Sequence, residues 1–400
     1  MLQVAPGVMT SSLMSDLRID YSSIGIISFS YYWGILLMQI PVGILFDRFS
    51  SRNILTISCF ACFGGTLLFA VAPNLPFACF GRFLAGVGSS FPFIGMLVLI
   101  MRWFSQDRFD YLSGFGQLFV AIGAISGELP MSLFVDCYGW RYAMISLGAI
   151  GVIIAIVLYC LVSEDPSRNQ QTITKTSTLD SFKEVLNNDQ TICFCIYSLI
   201  IWGTCIAFAV LWGIPFLVKK LTISTPKAAY MMAFFWVSFA ISSPLVGFLS
   251  NLQQKRKPLL ICASIAGFVC FSVLIFIPVV PIYLVYFCLV GLGFACSGQI
   301  LTFAMITENN NPKNTALAIS LNNMAQILGN VLFQPLIGYL IKLSSSGHLD
   351  TSGAPIYTIE DFTFGLTLLP VLLVIPILTS CFFVKETYCK SGYIKLAEEL

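Results

Sequence analysis

The chain has 400 residues, of which 57% are hydrophobic and only 10% charged, with a formal net charge of +2 and a mean hydropathy of +0.87. Soluble domains average about 25% charge, so water is not the solvent for most of this surface; lipid is. The Lys and Arg are scattered and nearly balanced, which leaves no basis for a nucleic-acid partner.

A membrane helix needs about 20 mostly apolar residues. Such segments are predicted at 1–16, 22–46, 53–72, 76–101, 110–135 and 140–162, and again at 191–218, 228–250, 258–279, 281–307, 314–341 and 362–384. The expected fold is all-α: two six-helix bundles, 1–162 and 191–384, with a polar linker at 163–190 and a polar tail at 385–400. A weak amphipathic piece lies near Leu179–Leu186 in the linker. Short loops elsewhere favour antiparallel neighbours. The first residues lack the basic stretch and cleavage site of a signal peptide. The first segment is short, because only Leu2 to Met14 is continuously suitable before Asp16. A charged amino terminus inside the bilayer is costly. The expectation is that the natural start lies upstream, or that water reaches this helix end.

The two halves repeat. Gly43 recurs as Gly247, an offset of 204, while Gly86-Val87-Gly88 recurs as Gly291-Leu292-Gly293 and Pro130 as Pro335, both at 205. A constant shift at separate places points to a duplicated unit, the layout of a two-bundle carrier. With the central linker in the cytoplasm, fourteen of the 21 Lys and Arg fall inside and six outside. Arg82 lies within a helix. That bias puts both chain ends in the cytoplasm.

Gly43, Asp47, Arg48 and Arg52 fall at the end of the second segment and in the loop after it. Gly43 permits close helix approach, and Asp47 is placed to meet a helix N-terminus or a nearby Arg. The run Gly43-x-Leu45-x-Asp47-Arg48-x-x-x-Arg52 resembles the loop 2–3 signature of the major facilitator superfamily, and Gly247-x-Leu249-Ser250-Asn251 is similar to its loop 8–9 counterpart. The resemblance implies a twelve-helix fold of two pseudo-symmetric halves. It implies that Asp47 latches the cytoplasmic side, with Arg102 as its partner. Asn251, where an acid is common, implies a second half held less tightly by charge. The alternative is that Arg48 and Arg52 serve orientation alone. The helix 1–2 region is also loosely similar to bacterial relatives of lysosomal dipeptide carriers. The glycine-proline-glycine-glycine cluster common in drug exporters is absent from Gly123–Pro130.

Two ionisable residues stand deeper. Arg82 lies 20 residues before Arg102, and Glu128 lies 20 after Arg108. Both therefore sit roughly 30 Å from the hairpin between them. Each alone in hydrocarbon costs at least about 2.5 kcal/mol, so the two are expected to pair. Two roles stay open: a static brace, or a proton- or substrate-handling pair. In the eleventh segment Asn323, Gln326, Asn330 and Gln334 lie along one helical face, with Asn322 beside them. Lipid does not tolerate such a stripe, so it faces protein or a water-filled cavity. Gln299 and Gln117 add further amides. Tyr31 and Trp202 are the aromatic candidates for the cavity wall. Pro92, Pro130, Pro215, Pro244 and Pro335 read as kinks.

The 14 cysteines sit mostly in apolar runs and read as small hydrophobes. Cys193 and Cys195 make a poor metal pattern, and His348 lies in a polar loop without ligand partners. A phosphate-cradling Gly-x-x-x-x-Gly-Lys is missing, so ATP is not the expected energy source. Neither an enzyme nor a cofactor is expected. The reading is a monomeric, multi-pass secondary transporter that moves a small polar solute by alternating access, with lipid as its surroundings. The expected mode is proton symport into a bacterium across the inner membrane, of an amino acid, short peptide or similar metabolite. The alternative is a drug or metabolite efflux antiporter of the same fold.

Overall fold

The computed structural model describes residues 1–103, 109–162, 183–310, 314–345 and 357–388. Among them ten helices are long and apolar enough to cross a membrane, from Ser51–Ala70 to Ile359–Phe383. These are the third to twelfth expected segments. The second is α3 (Tyr21–Arg48), 28 residues long with Pro41 inside it. The first differs from expectation. In place of one helix over 1–16 there are two short ones, α1 (Ala5–Val8) and α2 (Thr10–Leu17). Pro6 and Gly7 explain the interruption, since one lacks a backbone donor and the other is a weak helix former.

The rest of the first half consists of α4 (Ser51–Ala70), α5 (Leu75–Ser89), α6 (Phe91–Trp103), α7 (Phe109–Tyr138) and α8 (Trp140–Leu161). The second half holds α9 (Asp189–Ala207), a π-helical turn at Phe208–Trp212, and α10 (Gly213–Leu221). There follow α11 (Thr225–Gln253), α12 (Lys257–Phe276), α13 (Ile282–Ser297), α14 (Gln299–Asn309), α15 (Thr315–Ser344), α16 (Ile359–Leu366) and α17 (Leu368–Leu378). Side-chain caps fix several starts. Asn74 accepts from Phe77 N at 3.1 Å to open α5, and Asn188 accepts from Gln190 N at 3.0 Å to open α9. Large apolar side chains point outward, as lipid requires. On α8, Ile153 is 61% and Leu161 75% exposed.

The duplication shows in where helices break. The fourth crossing of each half is interrupted, between α5 and α6 at Ser90 and between α13 and α14 at Gly298. The first crossing of each half is interrupted too, near Met9 and at the π-helical turn. Pro92 and Pro215 sit just after two of these breaks, whereas Pro130, Pro244 and Pro335 lie inside continuous helices. The contacts refine the repeat. A Cβ added at Gly86 would strike the Tyr31 carbonyl, and one at Gly293 would strike that of Phe235. Gly88 instead faces Cys62, and Gly291 faces Cys270. By contact, then, Gly86 matches Gly293 and Gly88 matches Gly291. The two glycines of each fourth crossing have exchanged roles, since these matches are offset by 207 and 203 residues and no single shift relates them.

Packing divides the chain into two compact units. One is Met1–Thr172, Val210–Tyr230 and Gln334–Phe362; the other is Ile173–Ala209, Met231–Phe333 and Thr363–Leu400. These are not the two halves of the repeat, because α10 and parts of α11, α15 and α16 pack with the first half. The expected Leu179–Leu186 piece lies partly outside the described residues. Its visible end buries Val185, and Asn314 Nδ2 donates to Glu184 Oε2 at 2.7 Å. His348 also lies outside them.

Candidate functional site

In the first unit the polar groups converge on Arg82, which is 2% exposed. It sits on α5 one turn before Gly86, where α3 and α5 touch backbone to backbone. That approach lays the Tyr31 ring over the guanidinium, 4.3 Å from centroid to Cζ, with the Phe69 ring at 5.7 Å. A desolvated contact of this kind contributes about 2 kcal/mol. Arg82 Nη1 donates to the Leu2 carbonyl at 2.9 Å. That carbonyl is free to accept because Pro6, four residues on, has no N–H to give it. Arg82 Nε and Nη2 are buried and meet no hydrogen-bond partner among the described residues.

Other polar side chains of the same unit flank this group. Gln3 Nε2 donates to Tyr32 Oη at 2.7 Å. Ser28 Oγ bonds the side-chain oxygen of Gln334, and the Trp212 indole donates to the Gln334 carbonyl at 3.1 Å. Glu128, on α7, is fully buried. The expected Arg82–Glu128 pair is not made. The N-terminal stretch intervenes: α1 packs on α7, and a Cβ at Gly127 would meet Met1 Cα at 2.7 Å. Arg82 takes the carbonyl of that stretch instead of the carboxylate.

The second unit carries the amides. Asn322 Nδ2 donates to Thr302 Oγ1 at 2.9 Å, and Thr302 Oγ1 lies 2.7 Å from Ser198 Oγ. Gln326 Nε2 donates to Gln299 Oε1 at 2.7 Å. The break at Gly298 starts α14 at Gln299, so Gln299 and Thr302 both open toward α15. Interhelical hydrogen bonding thus accounts for part of the stripe. Asn322 Oδ1 and Asn330 Oδ1 remain buried without a partner among the described residues. The buried row is Asn322, Gln326, Asn330 and Gln334, while Asn323, expected on the face, is half-buried at its edge. Four-residue steps hold one stripe along a helix, and Asn322 keeps them where Asn323 does not. Trp202 packs on Phe239 with ring centroids 5.8 Å apart.

Of the residues expected to gate, the side chains of Asp47, Arg48 and Arg102 lie outside the described residues, as does that of Gln117, and so do the surroundings of Gly43. Arg52 lies 5.0 Å from the Tyr159 ring centroid. Gly247 was read as the counterpart of a close-packing glycine, yet a Cβ there would meet nothing within 4 Å. The second half carries an ion pair of its own. Arg256 forks onto Glu308 with contacts of 2.6, 3.1 and 3.1 Å, and its Nη1 reaches Ser250 Oγ at 2.9 Å. Glu386 accepts from the backbone N–H groups of Arg256 and Lys257 at 2.9 Å each, at the start of α12. Sequence reasoning missed this pair, although a signal existed. Arg256 stands 204 residues after Arg52, and Glu308 stands 206 after Arg102. Where the first half has Asp47 and Arg102, the second has Asn251 and Glu308.

Comparison with known proteins agrees with this architecture. Residues 2–334 match the family profile described as Major Facilitator Superfamily. A probable anion transporter 4 (chloroplastic) of Oryza sativa subsp. japonica is 21% identical over 81% of this chain and 58% of its own length. A probable galactarate/D-glucarate transporter, GudP, of Bacillus subtilis (strain 168) is 24% identical over 36% of this chain and 33% of its own length. An efflux pump, hmp6, of Hypomyces subiculosus is 31% identical over 30% of this chain and 22% of its own length. The chain therefore spans less than two thirds of these curated relatives. Among solved structures, an inward-facing bacterial homolog of the human lysosomal transporter Spinster superimposes with a TM-score of 0.76 at 15% identity, covering 99% of this chain and 94% of that one. A D-xylose-proton symporter does so with 0.71 at 16% identity, over 98% and 96%. Repeat, helix breaks, family profile and superposition coincide: this chain belongs to the major facilitator superfamily.

Proposed function

We propose that the protein carries a small solute bearing a carboxylate, such as an amino acid, short peptide or organic acid, by proton-coupled alternating access. The observation behind this reading is Arg82. It is a buried guanidinium whose Nε and Nη2 lack acceptors among the described residues, held flat by Tyr31. Two N–H groups on one edge of a fixed fork match the two oxygens of a carboxylate. Glu128, a carboxyl shut away from water in the same unit as Arg82, is the proposed proton carrier. The names of two relatives, an anion transporter and a galactarate/D-glucarate transporter, lean the same way.

The bias of Lys and Arg supports cytoplasmic termini, and short loops suit a bacterial inner membrane and a monomer. Efflux is the second reading, favoured by the 31% match to an efflux pump. A deletion strain's resistance profile separates the two.

The test is thermal-shift screening of the purified protein against metabolites offered in pairs, each acid beside its neutral amide. An acid at about 100 times its Kd stabilises the native state by about 2.7 kcal/mol. The matching amide does not. Equal stabilisation by acid and amide would remove the carboxylate from this account.

A further inference from the structure

Within the first unit, segments of the second half are fastened to the start of α3 by contacts that the solute site does not use. Asp20 caps α3, accepting from Ser23 N and Ser23 Oγ at 2.8 Å each. Its other oxygen, Oδ2, meets Lys342 Nζ of α15 at 2.6 Å. Exposed ion pairs contribute little, and Lys342 is exposed, but the Asp20 side chain is only 17% exposed and is held by three donors. Partial burial would raise its carboxyl pKa; the hydrogen bonds from Lys342 and Ser23 outweigh that and hold it below the usual carboxylate range. The pair therefore stays ionised at neutral pH.

Next to it, the Tyr21 ring is enclosed by three second-half aromatics, one from the π-helical turn and two at the start of α16. Centroid distances are 5.6 Å to Trp212, 4.6 Å to Tyr357 and 5.1 Å to Phe362. Three backbone approaches allow no added atoms. A Cβ at Gly338 would stand 2.5 Å from the Tyr21 carbonyl, and one at Gly25 would stand 2.6 Å from Pro335 Cα. One at Gly7 would strike the Val210 carbonyl. The boundaries of the unit coincide with weak points in these helices. Val210 lies inside the π-helical turn, and Gln334 immediately precedes Pro335. Such positions are where a helix bends.

We infer that the Asp20–Lys342 pair and the Tyr21 ring cluster form a latch that shuts the outer end of the solute path. The latch opens by flexing α10 at the π-helical turn and α15 at Pro335. This rests on the alternating-access reading above and adds the residues that hold one of its states. Lys342 lies two turns beyond Gln334 on α15, and Gln334 is bonded to Ser28 and Trp212, so releasing the pair loosens the tip of α10 as well.

Hydrogen–deuterium exchange on the full chain in lipid nanodiscs tests this without any solute. Lys342→Met leaves the Asp20 cap intact and removes the pair. Amides in 21–30 and, decisively, in 210–221 are expected to exchange about tenfold faster, with wild-type rates restored by Lys342→Arg. The 210–221 segment contains neither partner, so a merely local surface pair would not move it. Unchanged exchange there in Lys342→Met would overturn the latch, as would fast exchange that Lys342→Arg does not restore. The readout is independent of transport: vesicles that fail to take up any solute would sink the transporter reading and leave this result standing.

Discussion

Arg82→Gln abolishes the rise in unfolding temperature that the solute produces, while the unfolding temperature of the solute-free protein does not fall. The two halves of that result have different causes. Losing a charge-assisted fork in a dry site costs about 3 kcal/mol, which is roughly 150-fold in Kd. Uptake at low solute concentration drops by the same factor. The solute-free protein loses the Tyr31 contact and the bond to Leu2 O. It also sheds a buried cation with two open N–H groups, and burying an under-paired charge is itself destabilising. These terms offset each other. Arg82→Lys keeps the charge but loses the flat fork, and is expected to bind about tenfold more weakly than wild type. A fall in solute-free stability of Arg82→Gln, with solute binding intact, would make Arg82 a structural brace instead.

Glu128→Gln separates carrying from coupling. The amide is close in shape to a protonated carboxyl but cannot release a proton, so the loaded carrier still reorients and exchange of solute across the vesicle membrane persists. Net accumulation does not. With one proton per solute, a gradient of one pH unit supplies 1.36 kcal/mol, which sustains at most about tenfold accumulation. In Glu128→Gln vesicles the inside-to-outside ratio is expected to stay at one. Accumulation equal to wild type would place the coupled proton elsewhere.

The parts of this molecule that follow from one-dimensional patterns were legible in the sequence. Hydropathy alone located the third to twelfth crossings, because lipid forces long apolar runs. The repeat of Gly86-Val87-Gly88 revealed the duplication, although the exchange of roles that matches Gly86 with Gly293 appears only in the contacts. Arg82 and Glu128 stood out as ions inside apolar segments. Their failure to pair was not legible, since it depends on which element passes between them. Likewise Pro6 leaves Leu2 O without a helical donor, and Arg82 reaches it only once α3 and α5 have closed on Gly86. The choice of Asn322 over Asn323 for the buried row turns on a single step around the helix. The Arg256–Glu308 pair leaves only a faint trace in the sequence, the offsets of 204 from Arg52 and 206 from Arg102. The ring cluster of Tyr21, Trp212, Tyr357 and Phe362 joins residues far apart in sequence, and no local pattern announces it.

Solute counterflow tests the central claim most directly. Proteoliposomes are loaded with an unlabelled acid identified by thermal shift and diluted into a trace of the labelled compound. A single site that faces the two sides in turn predicts a transient overshoot of label inside, because outgoing unlabelled solute returns the carrier for labelled solute. A steady approach to equilibrium, at a rate indifferent to what the vesicles contain, would contradict it.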